Sequence, residues 1–215
     1  MDYSRIAPMM THLWAPMAAV TSAWQGKHNA QIAVAISAAS IVPDKPRVAI
    51  KIQKRNLTHD LIYNSGAFAL NFLRTDQLEL ISAFGLVSGR EVEKLSGVPY
   101  RLGPSGSPVL ELCWGYLDCR VVNALDGGDL TCFLGDVLEG DMLSQSGSQP
   151  QLQPELREGP LWWRDAQRQL PTEVMEEWDK KISQERQFSA ESMDQIDFTP
   201  WPSRRSDDSS AYFQN

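Results

Sequence analysis

The 215-residue chain has few cysteines and lacks long apolar runs. Its three cysteines, Cys113, Cys119 and Cys132, form no CxxC pair, so neither a disulfide framework nor a zinc site is indicated. No apolar stretch reaches the roughly 18 residues that a transmembrane helix needs. The apolar segment near the N-terminus is interrupted by Pro16, which disfavours a signal peptide. We therefore expect a cytoplasmic protein with no membrane contact.

The chain also lacks an excess of positive charge. Its 20 Lys and Arg against 27 Asp and Glu give a formal net charge of -7 and a pI near 5.0. This balance argues against nonspecific binding to nucleic acid or to an anionic membrane, although a local basic pocket remains compatible with it. No GxGxxG motif follows a strand pattern, which excludes a Rossmann nucleotide site. The 42% hydrophobic and 22% charged content is that of an ordinary globular protein.

The first two thirds of the chain read as β-strands. The segment 47–53 alternates apolar Val48, Ile50 and Ile52 with other residues, the pattern of a half-buried strand. The same reasoning predicts further strands over residues 13–22, 31–40, 67–73, 109–123 and 130–142. Pro43 and Pro46 mark the turn before the strand at 47–53.

A hairpin is predicted at 126–129, which reads Asp-Gly-Gly-Asp between two long strand patterns. If Gly127 and Gly128 form a two-residue loop, Val121 faces Leu134 and no cysteine faces another. In that register one sheet face collects the apolar side chains of Leu117, Val121, Leu134 and Leu138.

Cations precede a predicted short helix. Lys54, Arg55 and Asn56 lead into Thr58, a favourable N-cap, and into His59 at the helix start. Backbone N–H groups and nearby cations at a helix N-terminus suit a phosphate. From the residues alone, a basic turn beside an ordinary capped helix remains the alternative.

Two more helices are predicted before residue 96. Residues 76–84 carry apolar residues on one face, with Asp76 as N-cap and Gly85 as the terminator. Ser88 has capping-box spacing for a second short helix through residue 95, which would place Arg90 and Lys94 on one face. A solvated cationic edge paired with neighbouring glutamates is the alternative.

The composition changes after residue 143. We predict a domain over 1–143, a linker or loop over 144–158, a helical extension over 159–202 and a disordered tail over 203–215. A helix from Thr172 to about Gln187 carries Val174, Trp178 and Ile182 at spacings of four. This narrow stripe is expected to pack on the chain's own barrel or on a partner subunit.

Four segments, in order over about residues 12–142, resemble the flavin reductase-like or flavoredoxin family. They read HNAQIAVAISAASIVPDKPRVAI from residue 28, KRNLTHDLIYNSGAFALNFL from 54, GLVSGREVEKL from 85 and LDCRVVNALDGGDLTCFLGDVL from 117. The second is similar to the family's RYTHELI and SGEFVLN pieces, and the third to its SGRDVDKF. Each piece alone is weakly specific, whereas the ordered set is fairly specific.

The resemblance implies a mainly β fold, an FMN-binding split β-barrel of Greek-key type with short helices and a C-terminal helical tail, usually a homodimer with FMN near the subunit interface. It implies flavin ring and ribityl contacts from Asn29 and the loop of Ala38, Ala39 and Ser40. It implies phosphate contacts from Lys54, Arg55, Asn56 and Thr58, with His59 close by, and a pocket completed by Ser88, Arg90 and Lys94. No residue is assigned to catalysis or to a metal, and His12 and His28 receive no role.

Two functions from different classes follow from the resemblance. In the first, NADH or NADPH reduces FMN, which passes electrons to a flavin, a monooxygenase partner or another protein acceptor. In the second, the protein is a noncatalytic FMN electron carrier fed by a partner protein. The carrier gains some support from Leu130, which stands where the family commonly has the histidine of a GDH sequence. A third hypothesis, haem on the same barrel, lacks an evident axial ligand.

Overall fold

The computed structural model describes residues 5, 9–10, 13, 16–143 and 159–201. Within these residues the chain forms nine strands and four helices. The strands are β1 (Ala18–Trp24), β2 (Lys27–Ala33), β3 (Ile36–Ala38), β4 (Arg47–Gln53), β5 (Ala67–Phe72), β6 (Tyr100–Leu102), β7 (Pro108–Leu110), β8 (Gly115–Asp126) and β9 (Leu130–Asp141). The helices are α1 (Leu57–Ser65), α2 (Glu79–Gly85), α3 (Trp163–Gln169) and α4 (Thr172–Ser192).

The main sheet is antiparallel and curls on itself. Among the described residues it holds seven strands in the order β2-β1-β5-β8-β9-β4-β3, and β6 pairs with β7 separately. The two edge strands β2 and β3 are joined only by residues 34 and 35. So short a link between opposite edges is possible only if the sheet curls until the edges meet. The backbone N–H of Lys51 in β4 donates to Ala35 O at 3.1 Å, which extends the β3–β4 pairing into this link.

The sheet is covered on both faces, which explains its long apolar runs. In β1, Ala18 and Val20 belong to the core inside the curl, with Ile50, Phe68 and Phe133. Ala19 points the other way, into a second core with α2 and α3, as the two-residue period of a strand requires. The C-terminal residues Leu161 and Trp163 join this second core, and Trp201 is buried in the first.

The predicted long hairpin is present, but its predicted register is wrong. The N–H of Gly127 donates to Leu130 O at 2.8 Å, and Asp126 pairs with Thr131. The register then shifts between Val121 and Asn123, so that Val121 pairs with Gly135 instead of Leu134. A one-residue slip exchanges the two faces of a strand. Thr131, Phe133 and Gly135 are therefore the buried residues of β9, while Leu138 is exposed. The prediction that no cysteine faces another is confirmed.

Two helix predictions need correction. The N-cap of α1 is Asn56 rather than Thr58, and α2 follows Leu78 rather than Asp76, whose carboxylate pairs with Arg74. Residues 88–95 form turns instead of a helix. The Ser88 hydroxyl accepts the N–H of Arg90, two residues on, at 3.2 Å. A capping box would require the N–H three residues on, so this bond favours a turn.

The C-terminal helix α4 lies against the chain's own barrel and extends to Ser192, beyond the predicted end. A Cβ atom on Gly85 would meet the Trp178 ring at 2.5 Å, and the ring centroids of Trp178 and Trp163 are 4.7 Å apart. Near its C-terminal end, a Cβ atom on Gly128 would lie 2.6 Å from the carbonyl carbon of Met193. The predicted linker 144–158 and the tail 203–215 lie outside the described residues. No helix in the described ranges is long and apolar enough to cross a membrane.

Candidate functional site

Asn29 and Thr58 connect strand β2 to the start of helix α1. Asn29 Nδ2 donates to Thr58 Oγ1 at 2.8 Å, and both side chains are buried. The Thr58 hydroxyl therefore holds the asparagine in place and does not cap the helix. Asn56, the N-cap, leaves the first turn without a side-chain cap. The initial N–H groups of α1 thus remain suited to an incoming acceptor.

The Ser88–Gly89–Arg90 turn packs directly on Asn29. A Cβ atom on Gly89 would lie 2.6 Å from Asn29 Cγ and 2.7 Å from Nδ2, distances that no ordinary side chain tolerates. Asn29 Oδ1 is buried and meets no hydrogen-bond partner among the described residues. The amide orientation is assigned by its hydrogen bonds, so rotation would present Nδ2 in place of Oδ1. Either orientation leaves one buried polar atom for a ligand, which fits the polar edge of a flavin.

A cavity of about 470 Å³ opens beside this turn. It is lined by Gly26, Lys27, His28, Leu57, Gly89, Arg90, Glu91, Val92 and Glu93. The volume falls within the range of about 300–1,000 Å³ that is usual for small-ligand sites. Leu57, the first residue of α1, brings the helix N-terminus to the cavity wall.

Lys27 and His28 were missed by the sequence reasoning. They lie on the β1–β2 hairpin, and His28 Nδ1 is 3.0 Å from the Tyr100 hydroxyl. Their approach to residues 89–93 depends on the folded sheet, and no local pattern signals it. Lys27 adds a cation to the cavity wall that the predicted site did not include.

A larger cavity of about 740 Å³ lies elsewhere, beside Trp114, Leu138 and Met142. Its charged lining residues are Glu139 and Asp141. Among the residues that the structure describes, the lining of the larger cavity has no cation, whereas the smaller cavity sets Lys27 and Arg90 against Glu91 and Glu93. Because carboxylates that no lining cation opposes repel a phosphate group, the smaller cavity is the better candidate for a phosphate-bearing ligand.

Arg90 and His59 are linked through Asp60. Arg90 Nη2 donates to Asp60 Oδ2 at 2.6 Å, and His59 Nδ1 lies 3.3 Å from Asp60 Oδ1. Burial raises the pKa of Asp60, but hydrogen bonds from His59 and Arg90 outweigh it and hold the pKa below its usual value. On its other side His59 Nε2 lies 2.8 Å from Thr131 Oγ1 in β9. This network fixes α1 against the barrel and anchors the 88–90 turn to α1.

Lys54 and Arg55 make contacts away from this cavity. Lys54 Nζ lies 2.7 Å from Asp126 Oδ1 in the β8–β9 hairpin. Burial alone would raise the pKa of Asp126, but the bonds from Lys54 and the Gly128 N–H outweigh it and hold the pKa below its usual value. The carboxylate is therefore an anion that neutralises Lys54. Arg55 Cζ lies 5.3 Å from the centroid of the Phe188 ring on α4.

Lys94 does not share a face with Arg90. Its ammonium donates to Phe84 O near the end of α2 at 2.7 Å, whereas Arg90 points toward Asp60. Burial, with a contribution from nearby Lys181, lowers the pKa of Lys94 from 10.5 to about 8. The turn structure of residues 88–95 separates the two cations that a helix would have aligned.

The loop of Ala38, Ala39 and Ser40 is a surface feature at the β3 edge. The Ala39 N–H donates to Arg47 O at 2.8 Å, and the Ser40 hydroxyl accepts the Val42 N–H at 3.0 Å. Ala38 and Ala39 are exposed, and the following Ile41 is fully exposed.

The predicted site residues therefore fall into three groups. Asn29, Asn56, Thr58, His59, Ser88 and Arg90 lie together around the α1 N-terminus. Lys54, Arg55 and Lys94 lie toward the hairpin or α4, and residues 38–40 form the exposed loop.

A curled antiparallel sheet with a polar cavity at a helix N-terminus is the architecture of a flavin-binding split barrel. Residues 10–171 match the family model described as a flavin reductase like domain. The chain belongs to this family, and the predicted fold class is confirmed.

Curated relatives and a solved structure agree with this assignment. A high molecular weight rubredoxin from Moorella thermoacetica is 34% identical over 128 residues, covering 59% of this chain and 55% of the relative. The chain thus spans little more than half of that relative. A ferric-chelate reductase (NAD(P)H) from Archaeoglobus fulgidus is 31% identical over 129 residues, 59% of this chain and 75% of the relative. The crystal structure of an FMN-binding protein from Thermus thermophilus with bound p-hydroxybenzaldehyde is 27% identical, with a TM-score of 0.55 over 60% of this chain and 71% of that one.

Proposed function

We propose that this protein binds FMN and catalyses NADH- or NADPH-dependent flavin reduction, passing electrons to a flavin or a protein acceptor. The observation that carries the proposal is the buried, unused amide atom of Asn29, which lies directly beneath Gly89 in the wall of the cavity beside the α1 N-terminus. A structure that leaves a buried polar atom without a partner loses roughly 1–3 kcal/mol, which a bound ligand can recover.

The residues around α1 have distinct roles in this proposal. Asn29 orients the flavin through one amide hydrogen bond, with Thr58 fixing its side chain. Arg90, Lys27 and the first N–H groups of α1 attract the anionic part of a flavin or nucleotide. Residues 38–40 offer backbone groups to the flavin ring. The Asp60–His59–Thr131 network keeps α1 in position. FMN supplies the redox chemistry, and the protein supplies binding and orientation.

The second candidate is a noncatalytic FMN electron carrier. Leu130 begins β9, paired with Gln53, and gives the hairpin an aliphatic side chain where the family commonly has histidine. A nicotinamide approaching there would meet no imidazole from this position. The match to a rubredoxin-named relative also suits a protein that exchanges electrons with a partner protein. In either function we propose a homodimer and a monooxygenase or electron-transfer protein as acceptor.

The deciding experiment is an anaerobic absorbance titration of the protein reconstituted with FMN. Loss of the bound-flavin band on addition of NADH or NADPH supports the reductase, and the more effective nucleotide identifies the donor. Reduction by dithionite alone supports the carrier. Failure to bind FMN overturns both. An Asn29→Ala variant, which removes the unused amide atom, should bind FMN at least tenfold more weakly, as expected for one buried hydrogen bond.

A further inference from the structure

The segment 193–201, here called the C-terminal segment, continues from α4 onto the turn of the β8–β9 hairpin. A Cβ atom on Gly128 would lie 2.6 Å from the carbonyl carbon of Met193, so the segment touches the turn directly. The carboxylate of Asp126, in the same turn, accepts the N–H of Gly128 at 2.8 Å and the N–H of Asp197. The segment is therefore fastened to the hairpin through backbone groups.

Trp201 is buried inside the barrel, although the segment that carries it is largely exposed. Its side chain is 1% exposed and belongs to the core inside the curl, which also contains Phe133. The Trp201 ring meets the Tyr63 ring of α1 edge-on, with centroids 6.5 Å apart and an angle of 86° between the planes. In contrast, Phe198 of the same segment is 88% exposed. Because a buried aromatic side chain removes about 150–250 Å² from water, Trp201 is the anchor of the segment.

Tyr63 connects this anchor to His59. The two residues are four apart on α1, hence on one face of the helix, and their rings stack with centroids 5.5 Å apart. The His59 ring also packs on Phe133, at 5.6 Å between centroids. Hydrogen bonds to the two ring nitrogens, from Asp60 and Thr131, leave the imidazole free to tilt about the line that joins them. The aromatic neighbours therefore set the tilt of this ring.

Asp60 connects His59 to the candidate site. Its two carboxylate oxygens lie 3.3 Å from His59 Nδ1 and 2.6 Å from Arg90 Nη2. Arg90 lines the cavity and follows Gly89, which packs on Asn29. A change in the tilt of His59 moves its Nδ1 atom, and the carboxylate that binds both partners must then adjust. The position of Arg90 thus depends on the ring that Tyr63 holds.

We propose that Trp201 is a positioning residue for the candidate flavin site. It holds the Tyr63 ring, which fixes the tilt of His59, and the aligned imidazole keeps the Asp60 carboxylate in place for Arg90. Trp201 itself contacts no ligand. The inference rests on the proposed function, because it assigns a flavin to the cavity that Arg90 lines. Trp201 lies beyond residues 10–171, the part that matches the family model.

The first test compares Trp201→Leu with Phe198→Leu. Both substitutions remove an aromatic ring from the C-terminal segment and keep an apolar side chain, but Phe198 is exposed. Fluorescence titration gives the dissociation constant for FMN of each folded variant. We expect Trp201→Leu to weaken FMN binding about tenfold, as for one misaligned charge-assisted hydrogen bond, and Phe198→Leu to leave it unchanged. Trp201→Phe should retain most of the affinity, because it keeps a ring against Tyr63.

A double-variant cycle tests whether Trp201 acts through Arg90. In an Arg90→Gln background the guanidinium is absent, so Trp201→Leu should change FMN affinity by less than about twofold. A tenfold loss that persists in the Arg90→Gln background overturns the proposed route. Should Trp201→Leu fail to fold, Tyr63→Leu interrupts the same route, and an FMN affinity equal to that of the wild type overturns the proposal.

The NMR signals of the His59 ring separate positioning from a purely structural role. The chain has three histidines, and His59→Gln identifies the signals of this one. In the ligand-free protein, Trp201→Leu should shift the His59 signals but not those of His28, which lies on the β1–β2 hairpin. Phe198→Leu should shift neither. If Trp201 is purely structural, Trp201→Leu lowers the melting temperature while the His59 signals and the FMN affinity stay unchanged, and this result overturns the proposal.

The ligand-free spectra also distinguish failure of the inference from failure of the proposed function. If the wild type binds no FMN, the proposed function fails. The contact from Trp201 through Tyr63 to His59 is then still tested, because the His59 signals need no ligand. Shifted signals in Trp201→Leu support the contact, and signals equal to those of the wild type overturn it.

Discussion

Replacing Gly89 with alanine tests the contact around which the candidate site is built. The backbone of Gly89 lies outside the left-handed region, so alanine adds no backbone strain. Its Cβ atom would instead lie 2.6 Å from Asn29 Cγ, below the 3.0 Å that real Cβ atoms respect. Asn29 is 2% exposed and bound to Thr58, so it cannot move aside without losing that bond. Overpacking of this kind costs about 1–3 kcal/mol.

Urea denaturation followed by tryptophan fluorescence measures this cost. We expect Gly89→Ala to lower the free energy of unfolding by about 1–3 kcal/mol and to weaken FMN binding. Gly159→Ala is the matched control, because no atom of the described residues lies within 4 Å of a Cβ atom there and its backbone is also outside the left-handed region. The double variant Asn29→Ala, Gly89→Ala should recover part of the lost free energy of unfolding, because alanine at position 29 no longer clashes with the Cβ atom at position 89. A Gly89→Ala protein with wild-type stability and FMN affinity would refute the described packing.

Two further predictions concern Lys94 and the C-terminal helix. Since the pKa of Lys94 falls from its ordinary value of 10.5 to about 8 on folding, the unfolded chain binds more protons than the folded chain between these pH values. Between pH 7 and 10.5 the free energy of unfolding of the wild type should therefore rise by up to about 3 kcal/mol relative to that of Lys94→Gln. Urea denaturation of both proteins at the two pH values measures this rise. A difference between the two proteins that does not change with pH would contradict the burial of Lys94. Trp178→Ala should destabilise α4 by about 2 kcal/mol, because Trp178 packs on Gly85 and Trp163. Hydrogen exchange should then accelerate in α4 but not in β8 or β9, and unchanged exchange in α4 would argue against its docking.

Local sequence patterns predicted a strand well where apolar residues alternate regularly with other residues along it. The strand predicted at 47–53 has the same bounds as β4, because Val48, Ile50 and Ile52 alternate without interruption. The β8–β9 hairpin shows where this reasoning fails. Its Gly-Gly sequence predicts a loop of Gly127 and Gly128, but the bond from Gly127 N–H to Leu130 O centres the loop one residue further along, on Gly128 and Asp129, and a bulge interrupts β8 near Val122. Neither feature has a compositional signal, and each residue of slip reverses the buried face.

The site was predicted only as far as its local motifs reach. The cations before α1 and the Ser-Gly-Arg sequence were evident, but their partners lie far along the chain. Asn29 and Thr58 are 29 residues apart, Asp60 and Arg90 are 30 apart, and Gly85 and Lys181 are 96 apart. Such contacts depend on tertiary structure. The same dependence explains the missing helix at 88–95, where Gly89 must approach Asn29 closely and a turn achieves this approach.

The charged residues of α4 are divided between its exposed surface and the side that faces the barrel. The net charge of -7 argues against polyanions, and the exposed residues Glu173, Glu176, Glu177 and Asp179 place acidic groups on the outer surface of α4. Lys181 points inward to Gly85, on the side of the helix that faces Lys94. An extended polyanion would meet these outer carboxylates, so the exposed surface of α4 disfavours the binding of nucleic acid.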